Sequence, residues 1–191
     1  DGKFLGFKNE TIANLGAYAR VFGTVTPTYL FGPCATGVYT IPAAYSNVKA
    51  VYTNTAPVDA YRGAGRPEAT YTIERLVEKA AMELGIDKTE IRMKNFPSEF
   101  PFKQTLVHTV DSGDYVAGLE KAKQMADYAG FDARRKKSEA NGKLRGIGVS
   151  SYFEACGIAP SAAVMSLGCG VGLWESAEVR FNPTGQISVF T

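Results

Sequence analysis

The stretch DAYRGAGRPEATYTIERL, from Asp59 to Leu76, decides the central part of the fold. It contains two glycines, Gly63 and Gly65, and an uninterrupted helical pattern follows from Pro67. Proline suits the first turn of a helix, because a backbone N–H at that position would have no intrahelical acceptor. The sequence therefore predicts a glycine loop that leads directly into a helix from Pro67 to Leu84.

The predicted helix has one apolar face with the spacing of a buried stripe. Its expected inward residues are Ile73, Leu76, Val77, Ala80, Ala81 and Leu84. Gly85 suits the left-handed residue that ends a helix, and Asp87 with Glu90 forms a capping pattern for a second helix through Lys94. Asp114 or Ser112 is expected to cap a third helix, with Leu119, Ala122 and Ala126 inward.

Extended segments flank these helices. The first, residues 3–18, has Phe4, Leu5, Ile12 and Leu15 as buried candidates, whereas the proline-rich residues 26–47 predict irregular chain with at most one short helical turn. Alternating patterns predict further strands at residues 47–55, 146–153 and 173–181, the last continuing through an NPTG turn into a hairpin with QISVF. Strands, then helices, then strands imply an α+β fold with mixed and antiparallel sheets and packed helices.

Composition narrows the class of protein. The 191 residues are 45% hydrophobic and 21% charged with a net charge of +2, so bulk charge does not favour a nucleic-acid or membrane-surface partner. Three scattered cysteines and one histidine form no zinc pattern or disulfide framework, which favours a cytoplasmic location and no metal-ligating side chains. The chain starts without methionine and stops within a strand pattern, so we expect a piece of a larger protein.

The glycine loop has the chemistry of an anion site. A helix N-terminus presents unpaired N–H groups, glycines allow close approach to the backbone, and Arg62 and Arg66 carry forked donors. The loop is neither a G-x-G-x-x-G fingerprint, which needs a third glycine, nor a P-loop, which needs Gly-Lys-Ser/Thr. A tight turn whose arginines pair with carboxylates is the alternative interpretation.

An ordered series of motifs carries a resemblance over essentially the whole chain. These are TGVYTIP, VYTNTAPVDAYRGAGRPEATYTIERLVEKAA, EIRMKNF, DSGDY and GLWESAEVRFNPTG. Together they resemble the large subunit of the molybdenum hydroxylases, the xanthine dehydrogenase and aldehyde oxidase superfamily, and in particular the aerobic carbon monoxide dehydrogenase large chain and its relatives.

The resemblance implies parts of two molybdopterin-binding domains, residues 1–104 and 105–191. It implies a molybdenum-bearing molybdopterin cytosine dinucleotide, with FAD on a medium subunit and [2Fe-2S] clusters on a small subunit, in a dimer of heterotrimers. It places Arg62, Gly63, Ala64 and Gly65 against the cofactor and leaves Tyr61 to line the substrate channel or to pack. In such proteins the pterin supplies the metal's sulfur ligands and the catalytic glutamate lies further toward the C-terminus, which leaves no catalytic residue and no metal ligand in this chain.

One departure from the family pattern concerns the substrate. The carbon monoxide oxidisers resemble Ala-Tyr-Arg-Cys-Ser-Phe-Arg at the loop, with a cysteine that carries copper, whereas this chain has Gly63 there. Hydroxylation of an aldehyde or an N-heterocycle is therefore at least as consistent with the sequence as oxidation of carbon monoxide.

Two alternatives stay open: an unrelated nucleotide- or phosphate-binding enzyme that uses the Gly63–Gly65 loop and the helix N-terminus, and a non-catalytic scaffold or interaction fragment. Glu154 is a further candidate, either as a catalytic group or as the partner of an arginine or a backbone amide.

Overall fold

The computed structural model describes residues 1–155, 161–166, 168 and 176–191. The chain divides into two compact units, Asp1–Glu154 and Ala155–Thr191. The first unit contains β1 (Phe7–Asn14), α1 (Val21–Val25), β2 (Ala44–Val51), α2 (Arg66–Leu84), α3 (Lys88–Asn95), β3 (Phe102–Lys103), β4 (Thr109–Val110), α4 (Tyr115–Met125) and α5 (Phe131–Ala140). The described part of the second contains α6 (Ser161–Ser166), β5 (Glu178–Phe181) and β6 (Ile187–Phe190).

The helix pair α2 and α3 confirms the predicted boundaries. Helix α2 begins one residue before Pro67 and ends at Leu84, and Gly85 follows it in the left-handed conformation at φ +64°. The Asp87 carboxylate accepts hydrogen bonds from the backbone N–H groups of Thr89 (2.7 Å) and Glu90 (3.3 Å), which caps α3. These local signals are sufficient because each one satisfies a terminal backbone group within a few residues of itself.

The buried face of α2 differs from the predicted one. Ile73, Val77 and Ala81 are buried as expected, but Leu76 is 48% exposed and Leu84 53% exposed. Glu74, which an apolar pattern excludes from a core, is only 6% exposed, because Arg92 and Tyr39 supply its hydrogen-bond partners. Burial of this paired carboxylate rotates the inward face of the helix toward Glu74 and away from Leu76.

This corrected face gives a matched test. Val77→Ala, at a position that is 2% exposed, is expected to lower the free energy of unfolding by about 1.5–3 kcal/mol, because it removes buried apolar surface and leaves a void. Leu76→Ala, one residue earlier, is expected to cost about 0.5 kcal/mol or less, as surface changes do. Urea denaturation of both variants measures the difference. Equal losses would restore the original assignment of the face.

The sheets are small and of both kinds, as the predicted fold class requires. Strands β1 and β2 pair in parallel, with Phe7 opposite Ala44 and Asn14 opposite Val51. The pairs β3–β4 and β5–β6 are antiparallel. Within the first extended segment only Leu15 is fully buried among the four expected residues; Phe4 packs on the core, whereas Leu5 and Ile12 are 80% and 75% exposed.

Residues 21–34 are more helical than the sequence predicts. Helix α1 runs into a π-helical turn at Thr26–Leu30 and then into a 3-10 turn at Gly32–Cys34. Prolines at the start of the two later turns do not interrupt them, because a first-turn N–H needs no intrahelical partner. The turns lead to a buried run in which Ala35, Val38, Tyr39 and Ile41 join the core with Ile73, Val77 and Ile91.

Helix α4 confirms one of the two suggested caps. The Asp114 side chain accepts a hydrogen bond from the Ala117 N–H at 2.9 Å, and Leu119 is buried. Ala122 and Ala126 are exposed, contrary to expectation. The charged helix α5 has no buried residue.

Two predicted strands have different outcomes. Residues 146–153 have no strand assignment, and their backbone groups bind side chains of α2 and α3 instead. The second, residues 173–181, is a strand from Glu178 to Phe181, and its first three residues, 173–175, lie outside the described residues. The predicted hairpin is confirmed, since β6 pairs with β5 and Gly185 in the turn has φ +84°.

Candidate functional site

The glycine loop is a tight turn in which three consecutive residues have positive φ. Gly63, Ala64 and Gly65 have φ values of +92°, +32° and +83°. The Ala64 N–H donates to the Tyr61 carbonyl at 2.8 Å, and the Arg66 N–H donates to the Gly63 carbonyl at 3.2 Å. L-amino acids with side chains rarely adopt this conformation, so the alternation of small residues in the sequence is a backbone requirement.

Gly65 is where the loop is fixed to the rest of the first unit. A Cβ atom at this position would lie 2.7 Å from the carbonyl carbon and from the Cβ of Leu30, and closer still to the carbonyl oxygen of Thr26. The residue is buried and precedes the first turn of α2, so its carbonyl accepts the Ala69 N–H at 3.0 Å. The close approach to the π-helical turn holds the loop in one position.

The outer part of the loop remains accessible. Tyr61 is 88% exposed, Arg62 is exposed, and Gly63 and Ala64 are half-buried. The Gly63 N–H makes no hydrogen bond to the described part of the chain. An available backbone donor that directly follows an exposed arginine in the sequence suits an anionic group with oxygen or sulfur atoms.

The structure brings Glu154 to this loop and places Cys34 and His108 within the influence of the Arg66 charge, which sequence spacing could not indicate. A Cβ atom on Gly63 would lie 3.7 Å from the Glu154 Oε1 atom, so this exposed carboxylate lies directly beside the loop. Cys34 follows the turn that contacts Gly65, and its sulfur lies 3.4 Å from Nε2 of His108. These contacts join residues 74 and more positions apart in sequence, which is why no local motif indicated them.

The thiol and the imidazole form a neutral pair. The pKa of Cys34 is raised to about 11, chiefly by burial; the Arg66 charge opposes this rise and the Glu154 charge adds to it. Burial also lowers the pKa of His108, and the Arg66 charge lowers it further. Cys34 is therefore a protonated thiol near neutral pH rather than a thiolate ligand.

Other chemistry is limited in the described part of the chain. Among residues 1–155, 161–166, 168 and 176–191, no three His, Cys, Asp or Glu side chains come together in a way that could hold a metal ion. No helix among the described residues is long and apolar enough to cross a membrane. A cleft of about 620 Å³ opens beside the start of α2, and its lining includes the two carboxylate residues Asp59 and Glu68.

Comparison with family models gives two matches. Models described as a molybdopterin cofactor-binding domain match residues 1–96 and residues 121–191.

Individual proteins are similar to this chain over nearly its whole length. The carbon monoxide dehydrogenase large chain of Hydrogenophaga pseudoflava is 41% identical over 97% of this chain and 24% of its own length. Quinoline 2-oxidoreductase from Pseudomonas putida 86 is similar in structure, with a TM-score of 0.86 at 33% identity over 99% of this chain and 24% of that one. A Cu,Mo-CO dehydrogenase in its carbon monoxide reduced state has a TM-score of 0.73 at 31% identity, over 98% of this chain and 25% of that one. The chain thus spans about a quarter of the length of the relatives it matches.

Proposed function

The chain belongs to the family of proteins that carry the molybdopterin cofactor-binding domain, and from this premise we propose that it acts as one segment of the cofactor-binding large subunit of a molybdenum hydroxylase. The whole enzyme is a molybdopterin-dependent oxidoreductase. The observation that carries the proposal is the accessible loop at the start of α2, with its positive φ values, its available Gly63 N–H and the exposed Arg62 that precedes it in sequence.

In this proposal residues 62–65 bind the cofactor. Arg62 and the Gly63 N–H donate hydrogen bonds to its anionic centre, and Ala64 and Gly65 keep the backbone close to it because they add little or no side chain. Tyr61, which is 88% exposed, lines the path of the substrate. The bound cofactor supplies the redox chemistry that oxidises the substrate, and the residues of this chain bind and orient it. No catalytic residue and no metal ligand is assigned to this chain.

The substrate class we propose is an aldehyde or an N-heterocycle. Gly63 has φ +92°, and a Cβ atom there would lie 2.6 Å from Cγ of Pro67. A cysteine at this position, as the copper-bearing loop of the carbon monoxide oxidisers has, would be strained in this backbone. Similarity to a quinoline-oxidising enzyme supports the same choice. We accordingly expect the activity of the whole enzyme not to depend on copper.

The remaining assignments follow from the family. We place the boundary between the two domains, residues 1–104 and 105–191, in the interval that the two family matches leave between residues 96 and 121. The cofactor is the cytosine dinucleotide form of molybdopterin, and FAD and [2Fe-2S] clusters belong to a medium and a small subunit. The assembly is a cytoplasmic dimer of heterotrimers.

A phosphate-binding enzyme is a weaker candidate for the same helix N-terminus. The loop has neither the third glycine of a G-x-G-x-x-G fingerprint nor the Gly-Lys-Ser/Thr of a P-loop. A non-catalytic scaffold would require no available donors at the loop.

The experiment that tests the proposed function is element analysis of the large subunit that contains this chain, purified with its partner subunits. About one molybdenum per large subunit, without copper, together with oxidation of aldehydes or N-heterocycles by an artificial electron acceptor, would support it. A protein without molybdenum that binds nucleotides would favour the phosphate-binding candidate. A protein without either would favour a scaffold.

The 191-residue chain by itself is expected to hold no stoichiometric molybdenum and to oxidise no aldehyde, purine or carbon monoxide. The loop offers only a few hydrogen bonds, each worth about 0.5–1.5 kcal/mol net, which is too little to retain a large cofactor against dilution. Mass spectrometry for molybdenum and a dye-reduction assay measure this. About one molybdenum per chain, or turnover, would show that this quarter of the relatives' length contains the whole site.

A further inference from the structure

Residues 147–151 bind helices α2 and α3 through backbone groups, as a strand binds a sheet, but their partners are side chains. The Ile147 carbonyl accepts a hydrogen bond from Lys88 Nζ at 3.2 Å, and the Val149 carbonyl accepts one from Arg92 Nη2 at 2.9 Å. The Ser151 N–H donates to Glu74 Oε2 at 3.1 Å. In an extended chain alternate residues direct their N–H and C=O groups to the same side, so this spacing of two lets one row of side chains bind the whole segment.

Arg92 is the centre of this row. Its side chain is 0% exposed, and it forms an ion pair with Glu74 at 2.9 Å and a longer one with Glu78 at 3.4 Å. It also donates to the Lys88 carbonyl at 2.6 Å. Tyr39 donates to the other oxygen of Glu74, so the buried carboxylate is satisfied on both sides. These acceptors fix the position of the buried guanidinium. If it moved, its N–H groups would lose their partners in a place where water could not replace them.

The segment then leads directly to the candidate site. Two residues after Ser151, the Phe153 ring packs edge-on against the His108 ring, with centroids 5.7 Å apart and planes at 80°. The next residue is Glu154, whose carboxylate lies beside Gly63. The position of both residues therefore depends on how residues 147–151 are bound.

We propose that Arg92 and Glu74 are positioning residues of the candidate site: they hold residues 147–151 extended against α2 and α3, and thereby place Phe153 on His108 and Glu154 beside the Gly63–Gly65 loop. This inference rests on the proposed function only in treating the loop as a binding site; the contacts that hold residues 147–154 are independent of that function. The two residues touch neither the loop nor the proposed cofactor position. Their effect on the site passes through the bound segment.

His108 reports the arrangement, because it is the one histidine in the 191-residue sequence. Its surroundings in the described part of the chain are the Cys34 thiol, the Phe153 ring and the charge of Arg66, with Glu154 acting on the same thiol. Release of residues 147–154 would remove Phe153 and admit water to the imidazole. Because burial is the larger cause of its lowered pKa, release would raise the His108 pKa toward that of an exposed histidine.

The test is an NMR titration of the His108 ring proton in the 191-residue chain and in Arg92→Lys, which keeps the charge but loses the fork of donors. The matched control is Arg135→Lys, whose arginine has exposed ion pairs with Asp132 and Glu139 on α5. We expect Arg92→Lys to raise the His108 pKa and Arg135→Lys to leave it unchanged. A change in overall stability alone would not move the titration of the folded molecules. A folded Arg92→Lys variant with the wild-type His108 pKa would overturn the proposal.

A second measurement needs no variant. The amide hydrogen of Ser151 is expected to exchange as slowly as the interior amides of α2, because its acceptor is the buried Glu74. Exchange as fast as that of the exposed Asn141–Gly142 turn would overturn the proposal even if Arg92→Lys does not fold. Neither measurement involves molybdenum, so failure of the positioning proposal is distinguishable from absence of the metal in the whole enzyme, which would instead contradict the proposed function.

Discussion

Replacement of Arg92 by methionine is expected to lower the free energy of unfolding by about 3–5 kcal/mol, because it leaves the buried Glu74 carboxylate without its cation. Arg92 is 0% exposed, and its guanidinium also satisfies the carbonyls of Lys88 and Val149. Methionine fills most of the volume, so the loss comes from unpaired charge and unsatisfied acceptors rather than from a cavity. Equilibrium denaturation in urea measures the change.

Two further variants separate this cause from the loss of any arginine. Arg135→Met removes exposed ion pairs at 3.4 and 3.9 Å and is expected to cost about 0.5 kcal/mol or less. The double variant Glu74→Met with Arg92→Met removes both charges, and it is expected to lose less than the sum of the two single changes. Additive losses, or equal losses for Arg92 and Arg135, would show that the buried pair is not coupled as its geometry indicates.

Gly65→Ala is expected to destabilise the chain by about 2–5 kcal/mol, because strain of a positive φ adds to the cost of overpacking. The added Cβ would meet backbone atoms of the turn at Thr26–Leu30, which cannot rotate away as a flexible side chain could. Gly85→Ala is the matched control, since Gly85 also has positive φ but no atom of the described residues lies within 4 Å of a Cβ added there.

The difference between the two glycine variants isolates the contact between the loop and the π-helical turn. Gly85→Ala is expected to cost only the conformational part, about 1–2 kcal/mol. Thermal and urea denaturation of both variants provide the measurement. If Gly65→Ala cost no more than Gly85→Ala, the loop would not be fixed against residues 26–30. A fixed loop position at the start of α2 would then no longer support the candidate site.

The sequence was a reliable guide where the deciding interactions are local. Asp87 and Asp114 cap helices through backbone N–H groups two or three residues away, and Gly85 ends α2 through its own φ. Gly63 and Gly65 belong to the same class, because a turn with consecutive positive φ values selects glycine directly. The loop and the helix that follows it were therefore predictable from about twenty residues.

The predictions were wrong in two places where polar side chains decide the structure. One is a buried helix face, and the other is a segment that binds side chains instead of a neighbouring strand. Glu74 occupies the inward face of α2 because Arg92 and Tyr39, 18 and 35 residues away, satisfy it, and Leu76 is left half-exposed. Residues 146–153 alternate like a strand and are indeed bound along one edge, but by Lys88, Arg92 and Glu74. Hydrophobic periodicity contains no information about either partnership.

The candidate site shows the same division. The loop residues 62–65 were identified from sequence, and their assignment to a cofactor stays a prediction. Only the fold brings Glu154 beside the loop, and only the fold pairs Cys34 with His108, which lie 74 positions apart in sequence and 3.4 Å apart in the structure. Sequence spacing can relate residues that lie on the same helix or strand. This neutral thiol–imidazole pair instead joins a 3-10 turn to the residue before β4.

The central claim, that the Gly63–Gly65 loop lies against the molybdenum centre, is tested most directly by locating the metal. The measurement is the anomalous scattering peak of molybdenum in crystals of the cofactor-loaded large subunit that contains this chain. We predict that the cofactor atoms around the metal lie within van der Waals contact, about 4 Å, of the backbone at residues 62–65. A molybdenum peak remote from the loop, with protein atoms alone covering Gly63 and Ala64, would contradict the claim.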